Sequence, residues 1–321
     1  MKSPLFEGVD YDHQVSHYDL SVVRDCTWVA ALADRQTARL EFPLYLRRER
    51  YHRSKEIQHR HVDFFAIYIV RGGRGVRVVN GYSHGMARGD VFLMAPDTSH
   101  FFHSPVDLTL DAFYFQAQLW SPREWEILCD LPDLAAYFRP GEEGFLRRGH
   151  TDYFGHLSPE LHARVEAIVA QMRRDLKSGE LPPHLAARGQ FFALLVQLTE
   201  WRTNKTFNTR PARGAKIAEV LNFCDRNFHR PLSNQQLAGL MHFSEGHFRA
   251  VFTREVGMSP GAYLGHLRLQ QAQKLLEDKD LPVADIARLS GFGDCTQLGR
   301  AFKKAFGTSP LAFRKKLNQS T

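Results

Sequence analysis

The side chains with the most chemistry to offer in this 321-residue chain fall into two sets far apart in sequence. The first is His59, His61 and His100, with Phe64, Tyr68, Phe102 and Asp111 in the same stretch. Imidazole donates and accepts hydrogen bonds and ligates metals, aromatic rings offer flat apolar walls, and a carboxylate accepts from hydroxyls. This set can line a polar ligand site, hold a metal, or serve the structure alone. The second set is Glu245, His247, Arg249, Thr296, Gln297, Arg300, Lys303 and Lys304. Arg pairs bidentately with guanine, Gln suits adenine and Lys holds phosphate, while the bland alternative for the lysines is a solvated basic face. No nucleophile with its base and no paired carboxylates occur at usable spacing, so the chain does not read as an enzyme.

A duplication positions the second set. Leu237-Ala238-Gly239-Leu240-Met241-His242-Phe243 is echoed by Ile286-Ala287-Arg288-Leu289-Ser290-Gly291-Phe292. Phe252 with Gly257-Met258-Ser259-Pro260 is echoed by Phe302 with Gly307-Thr308-Ser309-Pro310, so the copies differ by one inserted residue. Each copy predicts a short apolar-periodic helix, a turn ending on an aromatic plug, and a second helix opened by a polar cap (Ser244, Asp294). Phe248, Val251 and Phe252, and again Leu298, Ala301 and Phe302, fall at i, i+3, i+4 and face inward. A glycine and then a proline stop each second helix. A plain helical bundle is the alternative, but packing alone does not keep caps, glycines and prolines in step. These are two helix-turn-helix units, joined by a helical stretch of about 25 Å. Two recognition helices one duplex turn apart are then feasible.

Charge agrees with that division. Residues 211–321 hold 16 Lys and Arg against 9 Asp and Glu, which accounts for the whole net charge of +7. Basic residues gathered on one domain neutralise phosphates and release counterions. Hydrophobic content of 43% and aromatic content of 12% are globular. No apolar run is long enough for a bilayer, the start lacks a signal-peptide pattern, and four scattered cysteines fit reduced thiols in a cytoplasm.

Residues 231–313 resemble the double helix-turn-helix DNA-binding domain of the AraC/XylS regulators, and Gly-Thr-Ser-Pro-Leu-Ala-Phe-Arg at 307–314 is similar to that family's terminal signature. The resemblance implies a transcription regulator, commonly an activator, with double-stranded DNA and RNA polymerase as partners. It also implies base contacts at Gly246, Arg249 and Ala250, of which only Arg249 has a long donor. His247 reads a base or serves the backbone and cap. Arg300, Lys303 and Lys304 suit phosphate, as does the basic run Arg314-Lys315-Lys316.

The fold expected is α+β: a cupin-like β-barrel at 1–157, a helical hairpin at 158–202, a linker at 203–214 and an all-α domain at 215–321. From Phe42 to Phe115, β-branched and aromatic runs alternate with Gly and Asn, which predicts a small antiparallel barrel. Ser21-Val22-Val23 and Thr27-Trp28-Val29 suggest strands, Asn80-Gly81 a hairpin turn, and residues 120–155 an irregular stretch. His59-x-His61, Gly89 to Pro96 and His100 resemble the two motifs of a cupin barrel. The glutamate that a metal-binding cupin would carry is missing from Phe65-Ala66-Ile67, so no metal and no cofactor are expected. The stretch 59–115 is most similar to the sensor half of the rhamnose-operon activators, through His-x-His…Asp-Phe-Phe, Gly-Arg-Gly, Val-Val-Asn-Gly and Gly-Asp-Val-Phe. The effector implied is a monosaccharide or similar polyol, although control by a protein partner is the alternative and a cupin enzyme fused to a DNA-binding module a weaker one. The hairpin's first stripe (Leu161, Val165, Ile168, Val169, Met172, Leu176) either packs on the barrel or pairs with a second subunit in a homodimer. The second helix is expected to bury Leu185, Phe192, Leu195, Leu198 and Trp201, and Ala215 to Phe228 to brace the first helix-turn-helix.

Overall fold

The computed structural model describes residues 24–29, 42–51, 58–79, 82–131, 133–138, 153–204, 207–208 and 215–319. The chain divides into two compact units, one of residues 1–157 and 164–222 and the other of 158–163 and 223–321.

Among the described residues the first unit is built on nine strands: Arg24–Cys26 (β1), Leu44–Tyr51 (β2), His59–His61 (β3), Phe65–Val79 (β4), Tyr82–Met86 (β5), Asp90–Met94 (β6), Ser99–Phe115 (β7), Tyr153–Leu157 (β8) and Phe207–Asn208 (β9). They form one sheet in the order β1-β3-β7-β4-β6-β8-β9, with β2 also on β7 and β5 also on β4. Among the described strands only β1 and β3 run parallel. Strands β4 and β7 pair along nearly their whole length. One face of the sheet encloses Phe64, Tyr68, Phe92, Met94, Phe102, Leu110, Ala112 and Tyr114. The other face of β4 and β7 carries Phe65, Phe113 and Phe115, stacked against Trp125, Phe138 and Phe191 of the helices. A strand buried on both faces has no polar alternation, which is why Phe64 to Val70 reads as a continuous apolar run.

The bend in β4 has a local cause. Its register against β7 slips three times between Val70 and Val76. Gly73 sits there at φ +79°, and a Cβ on it would lie 2.1 Å from the Asp107 carbonyl oxygen. Only glycine fits such a bulge.

Several sequence expectations change here. Trp28 and Val29 are helical, not extended, and Ser21 to Val23 lie outside the described residues. Asn80-Gly81 also lies outside them, although Val79 pairs with Tyr82 on either side. The stretch expected to be irregular contains helices Pro122–Asp130 (α1) and Ala135–Phe138 (α2) as well as β8. Ser121 and Glu124 form a capping box around Pro122, a start signal that three nearby prolines and a glycine obscured. Helices Pro159–Lys177 (α3) and Leu181–Thr203 (α4) follow. In α3 the expected stripe is buried at Leu161, Val165, Val169 and Met172 and half-buried at Ile168 and Leu176. In α4 the buried face is His184, Ala187, Phe191, Leu194, Leu195 and Leu198, whereas Leu185 is exposed and Phe192 and Trp201 are half-buried. Phe207 and Asn208, in the stretch read as linker, add a short strand to β8.

Helix Ala215–Asn227 (α5) buries Ile217, Val220, Leu221 and Cys224, and its residues to Asn222 group with the sheet unit. The helical unit continues with Asn234–Leu240 (α6), Glu245–Val256 (α7), Pro260–Leu275 (α8), Val283–Leu289 (α9), Cys295–Phe306 (α10) and Pro310–Gln319 (α11). Ser233 and Gln236 form a capping box on α6, and Ser244, Ser259 and Asp294 cap α7, α8 and α10. Gly257 and Gly307 close α7 and α10 in the left-handed conformation. Leu298 and Phe302 of α10 bury against Ile286, Ala287, Ala272 and Leu276, with Phe313 alongside. Full burial of a Phe side chain contributes roughly 1.5–3 kcal/mol, so these few contacts hold each small unit together.

Candidate functional site

Two sites emerge, one in each unit. In the helical unit, α6–α7 and α9–α10 are the two helix-turn-helix pairs, joined by the 16-residue α8, about 24 Å long at 1.5 Å per residue. The caps and buried aromatics leave the other face of α7 open. Gly246, Arg249, Ala250 and Thr253 line a concave surface of about 570 Å³ with Arg254 and Ser259. Arg249 is the central long donor there, flanked by residues too small to screen it. His247 points elsewhere: its backbone N–H donates to the Ser244 cap and its ring lies 4.4 Å from Phe243. Glu245 accepts from Asn234 Nδ2 at 3.4 Å. On α10, Thr296, Arg300, Lys303 and Lys304 are exposed. Gln297 is exposed too, but its Oε1 accepts from the Gly293 N–H at 3.3 Å. Arg254, absent from the sequence expectations, joins Arg249 because the helix turns it onto the same concavity.

In the sheet unit, β3 and β7 pair with His59 opposite His100. His61 Nε2 lies 3.2 Å from His100 Nε2, and the His59 and His100 rings are 4.2 Å apart. His61 stacks on Phe64 at 4.2 Å, and Tyr68 and Phe102 adjoin His100. The expected cluster is therefore assembled, with one exception. Asp111 points to the other face of β7, where it accepts from Arg48 at 3.1 Å and Arg71 at 2.8 Å. Side chains alternate along a strand, and Leu110 and Ala112 take the interior positions beside it.

The interior also holds groups that the sequence did not flag. Arg77 of β4 is completely buried, its guanidinium 4.7 Å from the Tyr68 ring and 5.2 Å from those of Phe92 and Phe102. Its Nη1 donates to His100 Nδ1 at 3.1 Å. From β2, Glu49 accepts from Tyr114 Oη at 2.5 Å and from Arg47 and Tyr51, and Arg47 donates to Tyr114 Oη at 3.0 Å. Burial, then the charges of His59 and Arg77, hold the His61 pKa well below the usual imidazole value. His100 is held low in the same way by burial, Arg77 and His59. Burial and the neighbouring Glu49 raise the Tyr114 phenol above its usual range.

The three imidazoles bring nitrogens within 4.8 Å of one another, close enough for a metal ion. The surrounding hydrogen bonds do not fit one. A guanidinium only donates, so His100 Nδ1 must accept from Arg77, and the neutral ring then carries its proton on Nε2. That nitrogen has no lone pair left for a metal.

Residues 41–186 match the family described as AraC-like ligand binding domain, and residues 237–316 match a helix-turn-helix domain family. The HTH-type transcriptional activator RhaS of Yersinia pestis strain Pestoides F is 28% identical over 80% of this chain and 89% of its own length. Among solved structures, the DNA-binding domain of AdpA in complex with a target DNA is 30% identical, covering 33% of this chain and 95% of that one at a TM-score of 0.32. A probable AraC family transcriptional regulator from Rhodopseudomonas palustris is 28% identical, covering 32% and 96% at 0.30. A ligand-binding sheet domain followed by two helix-turn-helix units defines a DNA-binding transcription regulator, not an enzyme. The chain belongs to the AraC family.

Proposed function

We propose that this regulator is a cytoplasmic transcription activator whose sheet domain binds a small polar effector of monosaccharide size. The effector alters binding of the helical unit to promoter DNA, where the protein acts as a homodimer and engages RNA polymerase. The observation that carries this reading is the polar, aromatic-walled interior at His59, His61, His100 and Tyr68, in the same chain as two capped helix-turn-helix pairs. On the DNA side Arg249 reads a base, Thr296 and Gln297 reach base edges, and Arg300, Lys303 and Lys304 hold phosphates. No helix among the described residues is long and apolar enough to cross a membrane, which agrees with a protein working at DNA.

Two measurements test this reading. A fragment of residues 212–321 is expected to shift promoter duplexes at low salt and to lose them steeply as salt rises. In the full chain, replacing His59 and His61 together by Ala is expected to abolish the effector response of a reporter promoter. A fragment with no duplex affinity removes the DNA half of the proposal, and a double variant that still responds moves the effector site elsewhere.

A further inference from the structure

The hydrogen bonds of the interior have a direction. Arg77 Nη1 donates to His100 Nδ1, so neutral His100 bears its proton on Nε2 and donates it to His61 Nε2 at 3.2 Å. His61 Nε2 therefore accepts, and the one proton of neutral His61 sits on Nδ1. That Nδ1–H is buried and has no hydrogen-bond partner among the described residues. A second orphan of the same kind borders the ring of Phe64. Trp28 Nε1, which can only donate, is also buried without a partner among them. Both side chains pack on Phe64, Trp28 with ring centroids 6.1 Å apart and His61 with 4.2 Å.

The acceptors nearest the relay, by contrast, already receive donors. His100 Nδ1 and His61 Nε2 are used within the relay, and Glu49 receives Tyr51, Tyr114 and Arg47. Among the described residues, the buried carboxylate, amide and hydroxyl oxygens without a partner belong to Gln190, Glu255, Gln270 and Ser290, none of them in this cluster. A neutral hydroxyl entering here brings a proton that needs an acceptor. A carboxylate brings only lone pairs, and two orphan donors await them, His61 Nδ1–H at the end of a relay polarised by a fixed positive charge and Trp28 Nε1–H on the same Phe64 ring.

We propose that the effector is an organic acid of monosaccharide size, a sugar acid, with its carboxylate on His61 Nδ1–H and Trp28 Nε1–H and its C–H face on Phe64. The assignment rests on the effector reading above and narrows it from any polyol to an acceptor-bearing, negatively charged one.

The test uses the full chain and matched pairs of compounds: D-galacturonate and D-galactose, D-glucuronate and D-glucose, D-gluconate and sorbitol. Thermal shift and calorimetric titration are expected to find at least one acid binding roughly 10- to 100-fold more tightly than its neutral partner, the usual worth of a charge-assisted hydrogen bond. His61→Phe keeps a ring on Phe64 but lacks the donor, and it is expected to lose that preference. Trp28→Phe is expected to weaken the acid in the same direction, with far-ultraviolet circular dichroism checking that both variants fold. A neutral sugar that binds while its acid does not overturns the carboxylate assignment and leaves the effector reading standing. Acid binding undiminished in both variants overturns it as well. Silence from every acid and every neutral compound overturns both readings together.

Discussion

Two imidazoles kept neutral inside the sheet domain make its stability sensitive to acid. His61 and His100 have folded-state pKa values depressed by burial and by Arg77 and His59. As pH falls through the ordinary imidazole value near 6.5, the unfolded chain takes up two protons that the folded one refuses. The stability they represent is fully present above that pH and is lost below it. Each proton refused by the folded state costs at most about 1.4 kcal/mol per pH unit, so two of them remove on the order of a few kcal/mol as the pH falls below the imidazole range. Against a typical domain stability of about 5–15 kcal/mol that is a large share.

The assay follows from the sequence. All four tryptophans, Trp28, Trp120, Trp125 and Trp201, belong to the sheet unit, so their fluorescence reports its unfolding without signal from the helical unit. Urea midpoints are expected to fall by about 1–2 M between pH 8 and pH 5, taking an m-value of about 2 kcal/mol/M. Other groups titrate there as well, so the control is a double variant, His61→Phe with His100→Gln, in which the glutamine oxygen still accepts from Arg77. Its midpoint is expected to be lower at pH 7 and far flatter in pH. A wild-type midpoint constant across this range, or a double variant as acid-sensitive as wild type, would falsify the neutral-relay account.

Two further predictions concern the helical unit. Arg249→Ala is expected to cost roughly 1–3 kcal/mol of DNA affinity and to relax preference at one base position, whereas Lys303→Ala weakens all sequences alike and lowers the salt slope by about one. Selection from a random operator library decides: the same consensus from wild type and Arg249→Ala removes Arg249 from base readout. Gly291 turns the second unit at φ +80°, where a Cβ would meet the Phe228 carbonyl oxygen at 2.6 Å, so Gly291→Ala is expected to destabilise by more than the roughly 1–2 kcal/mol of left-handed strain alone. The matching residue of the first copy, His242, already sits at φ +56°, and His242→Gly is expected to be neutral or stabilising. Helical circular dichroism on melting checks both, and equal melting of Gly291→Ala and wild type would contradict the clash.

The helical unit was almost wholly legible because its signals are local. Caps, glycines, prolines and i, i+3, i+4 apolar positions act within one helix and its turn, and the duplication states each of them twice. The interior of the sheet domain was legible only in part. Phe64 and residues 66, 68 and 70 of β4 face inward, and the same parity would send Arg77 outward. The bulges between Val70 and Val76 shift the register by one, so Arg77 lies opposite Phe102 and faces in. On β2, Tyr45, Arg47, Glu49 and Tyr51 are the interior residues, opposite Tyr114, Ala112, Leu110 and Leu108. The unbroken charged run Arg47-Arg48-Glu49-Arg50 carries no inward signal, and only the pairing shows Arg47 and Glu49 turned inward. Asp111 fails for the complementary reason: its chemistry suited the pocket and its parity did not.

On the proposed DNA reading, the two recognition helices divide the work unequally. Around Arg249, Gly246 and Ala250 lack any side-chain donor or acceptor, so base discrimination by α7 rests on one guanidinium and whatever Arg254 adds from the rim of the same concavity. On α10 the amide of Gln297 is engaged with Gly293 before DNA arrives, so a base must compete with that hydrogen bond. Arg300, Lys303 and Lys304 on the same helix pay no such penalty toward phosphate. The first unit therefore supplies most of the sequence preference and the second most of the salt-dependent affinity. Because one helix of fixed length joins them, binding by the second raises the effective concentration of the first at its own groove, which lets a single specific arginine suffice.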